Sequence, residues 1–460
     1  DFRDRTVGGI SWSVASQVGR HGVLGITTVV LANLLAPRQF GLIAMITIFT
    51  RFAEVITELG FGAALVQRKE IEERHLSSVF WLNLGTGLIV TALLIVCAPY
   101  VAAFYREPIL EPVTAVVAFT FLLNAAGIVP RTIFTRDIDF RTIAIVETWA
   151  AVVGGASAIG MAWYGLGVWA LVGQEVIRAG ATTTLFWGYS AWRPAWRWST
   201  AAIRELASFS LNLMGNRTIN YWSRQVDDLL IGRYIGSDAL GSYRMAYDIM
   251  LFPLRNVSRV ISRVMFPSLS EIQDRPDKVK GVFLAVTRAI ALVTFPLMLG
   301  LLVTTRPFVL SVFGDQWLEM VPILQVLATV GLVQSIGTLN GNLFMSQGRT
   351  ALQFRLGLIV KGIRIAAIVL GLRWGVMGVA IAYAISVWLT SVPTFYYACG
   401  LVDLSFRELT GNLLPVFGVG ATMAIIVYAG AWALPMAWSS GVRLALLVVG
   451  GGMAYGGLVV

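Results

Sequence analysis

Apolar runs long enough to cross a bilayer recur along the whole chain, and that recurrence limits it to a helical membrane fold. A hydrocarbon core takes roughly 20 mainly apolar residues in helical form. Inside it, every backbone amide must find its bond within a helix or a closed barrel. By that measure spans fall near residues 8–35, 40–66, 78–104, 111–130, 143–163, 167–188, 206–234, 239–266, 281–305, 318–345, 355–372, 375–398, 411–432 and 441–460. The composition agrees, since 57% of the residues are hydrophobic and only 13% charged, against about a quarter charged in soluble domains. The predicted fold class is therefore all-α and polytopic, with about fourteen transmembrane helices.

The connections orient the spans. One alternate set carries Arg3, Arg5, Arg68, Lys69, Arg74, Arg131, Arg136, Arg141, Arg193, Arg197, Arg204, Arg275, Lys278, Lys280, Arg349 and Arg407. The other carries only Arg38, Arg106, Arg233, Arg306, Arg373 and Arg443. The positive-inside rule puts the richer set, and the amino terminus, in the cytoplasm. A net charge of +10 then reflects topology and calls for no nucleic-acid partner. The connector from Trp187 to Trp198 interleaves Trp and Arg, and at a membrane surface it reads as an interfacial anchor. With His21 and His75 as the only histidines, a multi-histidine metal centre is excluded. Cys97 and Cys399 fall at opposite faces and are expected as free thiols. No cofactor is expected. No signal peptide is read at the start, and further residues are expected at both ends, because the chain opens without Met and closes in an apolar run.

An internal repeat divides the chain. Leu35–Gly41 lies over Ile235–Gly241 at an offset of 200, and Trp163–Val168 lies over Arg373–Gly378 at an offset of 210. Each half has six spans, so both enter the membrane in the same direction, as in transporters with a midplane site between lobes. The expected domains are an N-lobe at 1–188, a cytoplasmic interfacial linker at 189–205, a C-lobe at 206–400 and a final helix pair at 401–460.

Charges within the spans carry the functional signal. The stretch Glu205–Pro267 reads as two spans joined by a tight turn, yet it holds Arg217, Arg224, Asp227, Asp228, Arg244, Asp248, Arg255, Arg259 and Arg263. Each charge at the bilayer centre costs roughly 2.5–3.5 kcal/mol even on the lenient scale, so these side chains must face protein or water. Steps of three and four residues align them on one face of each helix. Arg20 in the first span, and Arg51, Glu54 and Glu58 in the second, add to the set. Arg20, Arg51, Arg217, Arg224, Arg244, Arg255 and Arg259 are the candidate binders of an anionic headgroup, because a planar guanidinium fork suits phosphate. Glu54, Glu58, Asp227, Asp228 and Asp248 either take up a coupling ion or balance the arginines. For Arg51 with Glu54, and Arg244 with Asp248, an intrahelical ion pair is a level rival to anion binding. Arg255 and Arg259 repel one another unless an anion or a partner acid lies between them. Glu147, Glu175, Arg178, Arg288, Lys361 and Arg364 complete the intramembrane charges, and Arg178, Lys361 and Arg364 lie near enough to the inner ends to snorkel. Pro253 and Pro296 are expected to kink their spans, and Gly337 with Gly341, and Gly371 with Gly375, fit small-residue helix contacts. No G-x-x-x-x-G-K-[ST] loop or H-E-x-x-H motif is present, and the loops are too short for a soluble catalytic domain, so no enzyme is expected.

Three stretches carry a family resemblance. Glu58–Ile71, continuing through His75 to Phe80–Asn83, resembles the signature of Wzx-type polysaccharide flippases, particularly the colanic-acid exporter group. Val312–Trp317 with Pro322–Leu324, and Met265–Pro267 with Ile272–Asp274, are similar to the same group. The resemblance runs over nearly the whole chain. It implies the multidrug/oligosaccharidyl-lipid/polysaccharide exporter fold, two six-helix lobes in a V with a final helix pair, as in the MATE-like transporters. The implied activity is alternating-access transfer of undecaprenyl-pyrophosphate-linked oligosaccharide from the inner to the outer leaflet of the bacterial inner membrane. The implied partners are that lipid-linked substrate, membrane lipids and polysaccharide polymerase or export machinery, with the protein itself a monomer. Related lipid II flippases use cavity arginines on the first, second and eighth helices, where Arg20, Arg51 and Arg255 lie here. The rival readings are a cation-coupled multidrug antiporter, from which the arginine excess points away, and a membrane glycan polymerase or ligase.

Overall fold

The structure, a computed structural model, describes residues 19–57, 65, 71–200, 225–435 and 438–459. Among them run fourteen helices: α1 (19–34), α2 (Pro37–Thr57), α3 (Glu73–Tyr105), α4 (Leu110–Arg136), α5 (Phe140–Trp163), α6 (Val168–Tyr189), α7 (Val226–Tyr234), α8 (Ser237–Glu271), α9 (Pro276–Val312), α10 (Met320–Ser346), α11 (Thr350–Gly371), α12 (Gly375–Gly400), α13 (Phe406–Ala433) and α14 (Ser440–Val459). Eight helical stretches, with α11 and α12 counted as one, are long and apolar enough to cross a membrane. The helix count agrees with the apolar runs of the sequence.

Local chemistry sets several helix ends. Ser405 caps α13 and forms a reciprocal pair with Glu408, which uses two orphan amides of the first turn. Glu72 and His75 make the same arrangement at the start of α3. Gly165 and Gly375, 210 positions apart, both turn with positive φ, at +75° and +68°, where a side chain would be strained. The matched turn of the sequence repeat is thus a matched backbone conformation. In Val312–Trp317, Gly314 also has φ near +92° and Trp317 is fully buried, so this part of the family-like signature builds a turn and anchors it in the core.

The chain divides into two compact units, Asp1–Asp238 and Ala239–Val460. In the first, α3 packs on α4, α5 on α6 and α4 on α6. In the second, α9 packs on α10, α11 on α12 and α10 on α12, so the same three pairings recur. Both units bond across a buried helix interface through a threonine. Thr91 Oγ1 donates to the Ala118 carbonyl at 3.0 Å, and Thr294 Oγ1 donates to Ser335 Oγ at 3.0 Å. The pair α13–α14 packs on α9. Close approach of α11 and α12 depends on Gly371 and Gly378, since a Cβ on Gly371 would lie 2.6 Å from the Gly378 carbonyl oxygen. Gly337 and Gly341 make only ordinary contacts. Pro253 and Pro296 lie inside α8 and α9, which continue through them.

The connector after α6 does more than sit at a surface. Trp196 stacks on Trp81 of α3 with ring centroids 4.3 Å apart, and Phe80 meets Trp187 and Trp192 edge-on. Trp81 Nε1 donates to the Ala195 carbonyl at 2.9 Å, while the Ala195 and Ser199 amides donate to Ser77 and Ser78 hydroxyls at 3.1 and 2.9 Å. Exposed Trp196 and Trp198 retain the character of an interfacial anchor, but the specific hydrogen bonds make the connector a docked strap on α3.

Candidate functional site

Three glycines prepare a cavity in the first unit. A Cβ on Gly155 of α5 would lie 2.5 Å from Thr27 Oγ1 of α1, and one on Gly154 would lie 2.9 Å from Arg178 Cβ of α6. A Cβ on Gly127 of α4 would lie 2.9 Å from Thr183 Oγ1 of α6. With no side chain at these positions the helices close up, and longer side chains a turn away converge on a space of about 370 Å³. On α4 the lining follows one face through Phe121, Asn124, Ile128 and Arg131, and on α6 through Arg178, Thr182 and Phe186. Arg20 and His21 of α1, Glu54 of α2 and Glu147 of α5 complete the polar wall.

Glu147 is the hub. Arg20 Nη1 donates to its Oε2 at 3.0 Å and Arg131 Nη2 donates to its Oε1 at 2.7 Å. The Glu147 side chain is only 15% exposed, while that of Arg131 is 56% exposed, so one partner remains open to exchange. Arg20 Nε is buried and has no hydrogen-bond partner among the described residues. Arg178 pairs with Glu175 one turn earlier on α6. It lines the cavity with that carboxylate beside it on its own helix. Three guanidiniums and two carboxylates line the space, and Glu175 beside Arg178 brings the charges into balance.

The second unit arranges its charges differently. Arg244 Nε donates to Asp248 Oδ2 at 3.0 Å and Arg255 Nη2 to Asp248 Oδ1 at 3.3 Å, all three residues lying on α8. The intrahelical pair of Arg244 with Asp248 therefore forms, and Arg255 shares the same acid. The Arg364 guanidinium lies 5.3 Å from the centroid of the Tyr383 ring, an attraction between cation and ring face. Tyr383 accepts from Gln334 Nε2 at 2.8 Å and lies 3.3 Å from Tyr247 Oη.

Of the candidate residues, Arg20 and Glu54 meet in the first cavity, and Arg244, Asp248 and Arg255 meet along α8. Arg51 is exposed on α2 and makes no ion pair with a described residue, so the expected alternative of an Arg51–Glu54 pair is not formed. Asp227 and Asp228 occupy the first turn of α7, and Asp228 is buried. Arg217, Arg224 and Glu58 lie outside the described residues, as does the side chain of Arg259. Sequence reasoning missed the roles of Arg131 and Glu147. The apolar run stops at residue 130 and leaves Arg131 among the loop charges, yet α4 continues to Arg136. Its steps of three and four from Asn124 and Ile128 were the available signal.

A family model described as polysaccharide biosynthesis protein matches residues 30–322. The teichuronic acid biosynthesis protein TuaB of Bacillus subtilis is 30% identical, over 88% of this chain and 85% of that protein. The lipopolysaccharide biosynthesis protein WzxC of Escherichia coli is 27% identical, over 93% of this chain and 88% of that protein. Among solved structures, lipid II flippase MurJ in an inward closed conformation shares the fold, with a TM-score of 0.74 and 15% identity over 98% of each chain.

Proposed function

The chain belongs to the polysaccharide biosynthesis protein family, and on that premise we propose that it is a flippase for oligosaccharide carried on undecaprenyl pyrophosphate. The carrying observation is a cavity among apolar helices into which α1, α4 and α6 each bring a guanidinium. Charges among apolar helices are costly unless they meet protein, water or a charged guest, and a diphosphate is a guest that several guanidinium forks suit. The activities named for TuaB and WzxC, in teichuronic acid and lipopolysaccharide biosynthesis, and the lipid II named for MurJ support a lipid-linked glycan as cargo.

In this reading Arg20, Arg131 and Arg178 seat the diphosphate in the first unit, and Arg51, Arg217, Arg224, Arg244, Arg255 and Arg259 help draw it in. The glycan occupies the polar space and the isoprenoid tail stays in the bilayer. Glu54, Glu58, Asp227, Asp228 and Asp248 balance the arginines or take up a coupling ion. The halves at 1–188 and 206–400 alternate access from the cytoplasmic to the outer leaflet of the bacterial inner membrane, with the amino terminus inside. The protein moves its cargo without making or breaking a covalent bond.

The test is reconstitution into liposomes with pyrophosphate-linked oligosaccharide, followed by a membrane-impermeant probe of outer-leaflet glycan. Arg20→Gln, and Arg255→Gln with Arg259→Gln, are expected to reduce transfer to below about a tenth of wild type, as loss of a charge-assisted pair of roughly 1.5–3 kcal/mol implies. Unchanged transfer with normal protein levels removes the arginine role. Ion-dependent dye efflux without glycan transfer would instead establish the antiporter.

A further inference from the structure

Glu147 accepts from two guanidiniums that come from different helices, and each of its oxygens takes one of them. This differs from the other double acceptor among the described ion pairs, Asp248, whose two arginines both lie on its own helix. Two cations brought together from α1 and α4 repel unless an anion joins them. A spacing that suits the paired oxygens of a carboxylate also suits two oxygens of one phosphate. The set is unsaturated as well, because the buried Arg20 Nε has no hydrogen-bond partner among the described residues. It opens on a space of about 370 Å³, and Arg131 is half exposed there, so a second anion has a way in.

We propose that Glu147 is a tethered stand-in for phosphate: it fills an anion receptor made by Arg20 and Arg131, and the diphosphate of the cargo takes its place. The inference rests on the flippase reading above and adds a positioning residue and a release device to it. While the site is empty, Glu147 keeps the two guanidiniums at the separation an incoming phosphate needs. Once the diphosphate is bound, the displaced carboxylate remains beside it as a competitor at high effective concentration. Return of Glu147 to the arginines expels the diphosphate and resets the site. No bond is made or broken; only ionic hydrogen bonds exchange.

The exchange predicts opposite effects on binding and turnover, which a purely structural clamp would not produce. Inorganic pyrophosphate is titrated against the full chain in nanodiscs by calorimetry. Glu147→Gln, which removes the competing charge, is expected to bind pyrophosphate about tenfold more tightly while transferring glycan more slowly. Arg131→Gln in the Glu147→Gln background is expected to cancel the gain. In the wild-type protein, carbodiimide modification of Glu147, read by mass spectrometry, is expected to rise with pyrophosphate as the carboxylate is released. That measurement decides the matter if Glu147→Gln does not fold. Equal or weaker pyrophosphate binding by a folded Glu147→Gln, or labelling of wild type that ignores pyrophosphate, overturns the exchange alone. Binding to neither protein overturns the diphosphate reading together with it.

Discussion

The two units solve the same problem, charge within apolar helices, in different ways. In the first, the Glu147 cluster joins α1, α4 and α5, so its ion pairs are also ties between helices. In the second, the ion pairs of Asp248 with Arg244 and Arg255 run along α8 itself, so these pairs are not ties between helices. A carboxylate bridging helices can be exchanged for a guest only if the helices are held together by something else. The glycines at 127, 154 and 155 supply that hold through backbone-close packing, and this is why a cavity can form at the cluster at all.

The comparison is easiest to break at those glycines. Gly154→Leu would drive a side chain against Arg178 Cβ and the Gln174 carbonyl, and a loss of about 3 kcal/mol is expected in thermal unfolding of the purified protein. A smaller loss would mean that α5 and α6 can yield without losing their packing. Next comes the tie itself: a double-mutant cycle on Arg20 and Glu147 should return a coupling of about 1 kcal/mol, reduced from a fully buried value because Arg20 is partly exposed. In the second unit, Arg364→Gln removes a cation from the face of Tyr383 and should cost about 0.5–1 kcal/mol, read from the same unfolding curves. The smallest effect is expected for the Arg244–Asp248 cycle, about 0.3–0.5 kcal/mol, as for other pairs one turn apart on a helix. A coupling there as large as that of Arg20 with Glu147 would erase the distinction between the units.

The fold was legible because apolar length is a one-dimensional property. The bilayer reads it residue by residue, and the turns at Gly165 and Gly375 preserve the repeat in their backbone angles. The charged cluster was less legible, since which helices share a carboxylate is settled only when they pack. Glu147 stood out as an intramembrane acid, but nothing local links it to Arg20, 127 positions earlier. Arg178 and Glu175, by contrast, had their pairing in view at a spacing of three residues. The aromatic connector showed its affinity for an interface in its Trp and Arg content, whereas its docking rests on Ser77 and Ser78 of α3, which composition does not single out.

That docked strap has a mechanical consequence. Helix α6 ends at Tyr189, but the chain is held against α3 as far as Ser199. Ten positions beyond the helix boundary are therefore tied down within the first unit. Fully extended, that length would reach roughly 30 Å, slack that is withdrawn for as long as Trp196 stays stacked on Trp81.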